Sequence, residues 1–416
     1  MGKGKPVSKT TFLREIEVKR RTGLALALSG GGYRASLYHL GLLRRLNEIG
    51  LLSQVDAISS VSGGSITNAV LAKTVDRWKS GQLDRPEWDR MIRDPLANFC
   101  RNNIRTWPIL KSLMQFWKNG VAVSEIEKAY YQLLTDQTLG DLSSEVDFIF
   151  CASDLVFSTM WYYRAKTSAN RRTGNYRAGW VKEWKTIPVA RAVAASSCFP
   201  PIFGPQHGGY QPEEMVRPGN AHPTWETLIP KLRLTDGGVY DNLGLQPVWD
   251  AYQKLICSDG GTPLVFKATE GPLQLKRYTD VIQGQVSGLR RRMLIERDQN
   301  PAIDFRGCYL GLHQGALPMG YSQPFIDQVL INVRTDLDCF SETEARVLEN
   351  HSYTLADHYL RKYLLDPKNA GLSIDHDALA RPSPPYPEEM NEDRVRETMR
   401  DSHKRTFLFF LRPAWI

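Results

Sequence analysis

The stretch LALALSGGGYRASLYHLGLLRRLNEIG, Leu24 to Gly50, changes its hydrophobic pattern partway along. Leu24 to Leu28 is a continuous apolar run, too short for a helix and stopped by glycines, as expected of a strand buried on both faces of a parallel sheet. From Ala35 the period becomes helical: Leu37, Leu40, Leu43 and Leu46, with Leu42 and Ile49, form one broad apolar face, and Gly50 supplies a stop. VDAISSV (Val55 to Val61) then reads as a second buried strand. SITNAVLAKTV, from Ser65, reads as a second helix with Ile66, Ala69 and Val70 on one side. Strand, helix, strand, helix in close succession predicts an α/β fold, a mostly parallel sheet with helices on its faces.

Working outward, VDFIFCAS (Val146 to Ser153), KLRLT (Lys231 to Thr235) and PLVFKAT (Pro263 to Thr269) are further strand candidates expected to continue the sheet. An aromatic-rich stretch around 95–135, with Trp107, Ile109, Leu110, Leu113, Met114, Phe116 and Trp117, reads either as core or as a lid or membrane-facing cap. FSETEARVLENHSYTLADHYLRKYL opens with Ser341 and Glu344 in capping-box spacing and predicts a long helix. RPSPPYPEE after it predicts an extended linker. The expected organisation is a basic N-terminal arm (1–20), one main domain (21–366) and a Pro-rich linker with a C-terminal tail (367–416).

The chain has 416 residues, 42% hydrophobic and 24% charged, the balance of a packed globular protein. Its six cysteines lie far apart and show no metal-ligand spacing, so they are expected as reduced thiols in a cytoplasmic protein. MGKGKPVSKT is basic but lacks the apolar core of a signal peptide, and no run is long and apolar enough to span a bilayer. The formal charge of +8 favours anionic surfaces such as acidic lipid or nucleic acid. No zinc finger, helix-turn-helix or RNP-like motif is present, so nucleic acid is not an expected partner.

Three short motifs carry chemistry. Ser62 ends the second predicted strand and precedes Gly63, Gly64 and a helix, which is the context of a nucleophile elbow, although Ser60 stands where G-x-S-x-G has glycine. SGGGYR, Ser29 to Arg34, lies between the first strand and its helix, where amides of Gly30, Gly31 and Gly32 can face developing negative charge. The G-K-[ST] of a phosphate loop is absent. LTDGGVYDN places Asp236 at the end of the fourth strand candidate, before Gly237 and Gly238; a carboxylate there can share the carboxyl edge of the sheet with Ser62. No histidine occupies a comparable position. A Ser-His-Asp triad stays open at this point, with a Ser-Asp dyad the more economical arrangement.

GGGYR, SVSGGS and DGG in that order, with AASSCFPPIFGP (Ala194 to Pro205) and VRTDLDCFSETEARVLENHSYTLAD, resemble the patatin-like phospholipases over most of residues 20–360. The resemblance implies a three-layer α/β/α sandwich, Ser62 as nucleophile, Asp236 as its catalytic partner, and Gly30, Gly31 and Gly32 as oxyanion-hole donors. Arg34 matches an arginine that follows the glycines in that family, where it orients the loop or meets a lipid phosphate; a structural salt bridge is the alternative. The implied activity is hydrolysis of acyl esters of membrane phospholipid or another acyl lipid, without cofactor or metal. Some bacterial relatives are switched on by a partner or signalling molecule, so regulation is among the implied properties. LKRYTDVIQGQVSGLRRRMLIE is the expected contact for peripheral binding at an anionic inner-membrane face, with a solvated helix as the alternative. A catalytically silent scaffold of the same fold is the rival reading. The sequence does not set the oligomeric state.

Overall fold

In a computed structural model, residues 22–114, 121–164, 172–200, 203–261, 273–316, 318–365, 371–400 and 402 are described. The strand candidate Pro263–Thr269, the N-terminal arm and the last fourteen residues lie outside them. The strands are β1 (Leu24–Leu28), β2 (Val55–Val61), β3 (Asp147–Asp154), β4 (Thr159–Arg164), β5 (Gly174–Asn175), β6 (Gly179–Val181), β7 (Gln206–His207), β8 (Met215–Val216), β9 (Arg233–Asp236), β10 (Lys254–Asp259) and β11 (Arg306–Gly311). They form one sheet in the order β11–β10–β1–β2–β3–β4–β5–β6–β8, with β9 pairing β3 and β7. From β11 to β3 every pairing is parallel; β4 and the strands beyond it are antiparallel.

Successive side chains of a strand point to opposite faces, and β1 shows the consequence. Leu24, Leu26 and Leu28 enter a core shared with helices α1 (Gly32–Glu48), α2 (Gly63–Lys73) and Glu342–Tyr363. Ala25 and Ala27 face a second, smaller core with Leu255, Leu294 and Phe305, under the long helix Leu273–Gln299. Helices therefore cover both faces, giving the expected three-layer α/β/α architecture. The apolar face anticipated on α1 is buried throughout, and Gly50, at φ +75°, follows its end. Ser341 and Glu344 form the reciprocal capping box: Glu344 N–H donates to Ser341 Oγ at 3.2 Å and Ser341 N–H to Glu344 Oε2 at 2.7 Å.

Two expectations need correction. β9 is antiparallel to β3, so Asp236 does not arrive on a parallel strand. Instead β2 occupies one edge of β3 as far as Val61 opposite Cys151, and β9 runs head-on along that same edge until Asp236 lies opposite Ala152. The two strands end facing each other. Secondly, the Pro-rich stretch Arg381–Glu389 is packed rather than an extended linker. Tyr386 is buried, its backbone exchanges hydrogen bonds with the Asn350 side chain at 2.7 and 3.0 Å, and Arg93 and Arg346 lie against its ring. One aromatic and a matching carboxamide dock a segment whose prolines cannot donate. The helix Glu392–Arg400 then adds Val395 and Met399 to the main core. The aromatic-rich stretch divides in the same way: Phe99 and Tyr130 are buried, while Trp107, Leu110 and Met114 are exposed.

Candidate active site

The turn from β2 into α2 passes through Ser62 at φ +50°, ψ −121°. Positive φ is uncommon outside glycine and costs on the order of 1–3 kcal/mol. The turn is held from both sides: a Cβ at Gly63 would overlap the Gly32 carbonyl, so the elbow and the glycine loop touch through backbone alone. Ser60, the departure from the elbow pattern, is absorbed by hydrogen bonds. Its hydroxyl donates to Ile149 O at 3.1 Å, lies 3.0 Å from Ser65 Oγ and accepts from Asn68 Nδ2 at 2.9 Å.

The glycine loop lies against Ser62, close enough that a Cβ on Gly30 would be 3.0 Å from the Ser62 Cβ. Gly30 differs from expectation. Its N–H donates to Asn242 O at 3.0 Å, which withdraws it from the oxyanion-hole set. Gly31 and Gly32 N–H have no acceptor among the described residues, nor has Gly63 N–H across the turn. Gly31 caps α1 without any side-chain hydrogen bond, so the positive end of that helix is left facing the serine. Gly32 requires its residue type doubly: φ is +58°, and a Cβ would lie 2.6 Å from Asp336 O.

Arg34 is buried and does not reach a lipid phosphate. Its Nε donates to Gly260 O at 3.1 Å and its Nη1 to Val333 O at 2.6 Å, while burial lowers its pKa to about 10. The guanidinium thus ties the start of α1 to two loops from distant parts of the chain. Tyr33 N–H adds a bond to Asp336 O at 2.9 Å.

Asp236 is also buried. Its Oδ1 accepts from Gly238 N–H at 2.7 Å, and its Oδ2 has no hydrogen-bond partner among the described residues. Burial raises its pKa from 3.8 to about 7, against the opposing pull of the Gly238 N–H and the Ser62 hydroxyl. The hydroxyl is therefore close enough to favour the carboxylate, yet no hydrogen bond of good geometry joins the pair. Gly237 N–H is held by Ser196 O at 3.3 Å, and Gly238 begins the short helix Gly238–Asp241.

Ser196 was not singled out from the sequence, although AASSCFPP was. It lies in the last turn of the helix Val189–Ser197 and joins both halves of the site. Its Oγ accepts from Ser62 N–H at 3.0 Å, donates to Cys151 O at 2.7 Å and lies 2.8 Å from Ser65 Oγ. Its carbonyl takes the Gly237 N–H. The signal that could have found it is the run of small hydroxyl residues in that motif.

Among the described residues no histidine hydrogen-bonds Ser62 or Asp236. His39 sits between Ser258 Oγ and Ser29 O, and burial lowers its pKa to about 4, so it is neutral and supports the glycine loop from behind. No helix of the described residues is long and apolar enough to cross a membrane.

The sequence model of the family described as patatin-like phospholipase matches residues 26–249. No curated protein matches the chain. Among solved structures, human GIVD cytosolic phospholipase A2 is 13% identical with a TM-score of 0.44, over 84% of this chain and 62% of that one, so the likeness spans less than two thirds of the human enzyme. VipD from Legionella pneumophila is 14% identical with a TM-score of 0.33, over 91% and 74%.

Proposed function

We propose that the chain, which belongs to the patatin-like phospholipase family, hydrolyses lipid acyl esters through a Ser62–Asp236 dyad of phospholipase A type. Ser62 Oγ attacks the ester carbonyl while the Asp236 carboxylate accepts its proton. The carbonyl oxygen gains negative charge against the free amides of Gly31, Gly32 and Gly63. The ester C–O bond breaks, Asp236 returns the proton to the leaving alcohol, and the acyl group stays on Ser62. Water then attacks the acyl-enzyme, gives its proton to Asp236, and the fatty acid departs as Ser62 recovers its own.

The observation that carries this reading is the pairing of a strained Ser62 with a buried carboxyl whose Oδ2 lacks a partner. A structural aspartate in the same place would be satisfied on both oxygens. Wild type, Ser62→Ala and Asp236→Asn are compared for fatty-acid release from mixed phospholipid vesicles and for hydrolysis of a soluble p-nitrophenyl ester. Loss of both activities in both variants, with folding intact, is the expected result. Ester hydrolysis that survives in Ser62→Ala removes Ser62 as nucleophile. A wild type inactive on both substrates supports the silent-scaffold reading.

A further inference from the structure

Asn242 follows the short helix Gly238–Asp241, and the backbone around it is fixed from both sides. Its carbonyl takes the Gly30 N–H at 3.0 Å. Asp241 before it is buried and fully engaged: Oδ1 accepts from Leu243 N–H at 3.1 Å, Oδ2 accepts from Gln246 N–H at 2.8 Å, and Arg290 Nε stands 3.4 Å away. The turn therefore delivers the Asn242 carboxamide to one place, and three glycines mark where it is. A Cβ on Gly30 would lie 2.5 Å from Asn242 Oδ1 and 3.0 Å from the Ser62 Cβ. A Cβ on Gly238 would lie 2.7 Å from the same Oδ1 and 3.0 Å from Asp236 Oδ1, and one on Gly261 would lie 2.9 Å from Asn242 Nδ2. Asn242 Oδ1 is thus parted from the nucleophile, and from the base, by no more than the space a glycine leaves empty. The residue is partly exposed, and its carboxamide makes no hydrogen bond among the described residues.

The polar groups around Ser62 divide by kind. On the glycine-loop side they are donors, the amides of Gly31, Gly32 and Gly63; on the aspartate side they are acceptors, Asp236 Oδ2 and Asn242 Oδ1. One oxygen can serve both acceptors only if it carries two hydrogens, as water does and an alcohol does not. We propose that Asn242 selects water as the acyl acceptor: its Oδ1 takes one hydrogen of the water that attacks the acyl group on Ser62, while Asp236 takes the other. This rests on the proposed Ser62–Asp236 mechanism and adds the choice of second substrate. The water oxygen bonds to the acyl carbon and the bond to Ser62 Oγ breaks. The proton accepted by Asp236 passes to Ser62 Oγ, and the hydrogen held by Asn242 leaves on the fatty acid. An alcohol would give its one hydrogen to Asp236 and leave Asn242 Oδ1 without a donor, which is how a polar site rejects an analogue lacking one group.

The test is the product ratio from a soluble p-nitrophenyl ester in buffer containing methanol, after subtraction of the Ser62→Ala background. The acyl-enzyme gives fatty acid with water and methyl ester with methanol, and the ratio is set after acylation, so a slower acylation or a smaller folded fraction does not move it. Asn242→Ala is expected to raise the ratio of methyl ester to acid about tenfold over wild type, the size of one hydrogen bond to a reacting group. Asn242→Asp keeps an acceptor in the same place, so its ratio should stay near that of wild type, while the added carboxylate moves the midpoint of its pH–rate profile up from about 7. A ratio unchanged in Asn242→Ala overturns the proposal. So does a ratio that rises equally in Asn242→Asp, because packing and not the acceptor would then decide it, and so does a midpoint left at about 7 in Asn242→Asp, because Oδ1 would then not face Asp236. Those three results leave the Ser62–Asp236 dyad standing. Acid without methyl ester in every variant, whatever the methanol concentration, removes the acyl-enzyme and takes the proposed mechanism with it.

Discussion

Asp236→Asn is expected to stabilise the fold in alkaline buffer while abolishing hydrolysis. The asparagine keeps the shape of the carboxyl and the Oδ1 that accepts from Gly238 N–H. What it removes is a buried group that must ionise to act. Burial holds the Asp236 pKa at about 7 against an ordinary 3.8. The folded state therefore binds this proton more tightly than the unfolded chain does, and stability present below about pH 4 is lost as pH rises towards 7. At about 1.4 kcal/mol per pH unit the full loss is roughly 4 kcal/mol, of which roughly 2–3 kcal/mol falls between about pH 5 and pH 8. Asp236→Asn lacks that loss. Urea unfolding of both proteins at those two pH values gives the difference directly, since titrations elsewhere cancel between them. The advantage of the variant should grow by roughly 2–3 kcal/mol with unchanged m-values. An advantage that is the same at both pH values would refute the raised pKa and, with it, the account of Asp236 as a base poised near neutrality.

The same ionisation sets the rate: kcat/KM for a soluble ester should climb with pH and level off, with its midpoint near pH 7, because only the carboxylate takes the Ser62 proton; a profile flat from about pH 5 to 9 would count against this. Ser196→Ala should leave the Ser62 N–H without its acceptor, destabilise by about 1–3 kcal/mol and lower kcat more than it raises KM, read by steady-state kinetics and urea unfolding together. Gly32→Ala forces a Cβ to 2.6 Å from Asp336 O at φ +58°, so the loop must shift; kcat should fall about a hundredfold or more with Ser62 still in place, and near-normal kcat would remove this loop from the reaction.

What was legible in the chain was whatever local pattern dictates. The change of period between Leu28 and Ala35, the small residues around Ser62 and the Ser341–Glu344 box each specify an element without help from distant sequence. β10 and β11 escaped because KLICSD and RGCYLG are short and interrupted by polar residues or glycine; only their place beside β1 makes them strands. The head-on meeting of β2 and β9 is a property of the shared edge of β3, and nothing within LTDGG encodes the direction in which that strand runs. Gly30 illustrates the same limit at the level of one atom. Its residue type fits an oxyanion donor as well as Gly31 does, and only the carbonyl of Asn242, brought in from more than two hundred residues away, distinguishes them.

The site concentrates features that would each be costly elsewhere. Ser62 holds a positive φ, Asp236 keeps an unpaired carboxyl oxygen out of water, and α1 begins without a side-chain cap. Local chemistry would relieve the first two, with glycine at 62 and asparagine at 236, whereas a side chain at the Gly31 cap would lie 2.8 Å from Gly260 O at φ +142°. Independent imperfections would be scattered, and each could be repaired alone. Here they are joined largely through one residue, since Ser196 Oγ holds the Ser62 amide and Ser196 O holds the Gly237 amide, while Gly63 packs against the glycine loop. On the proposed mechanism this network holds the nucleophile, the base and the anion-binding helix end at one point, and leaves unsatisfied the groups that a reacting ester would satisfy. Repairing either of the first two should therefore raise stability and lower the rate, which is the opposite of what loss of a structural residue does.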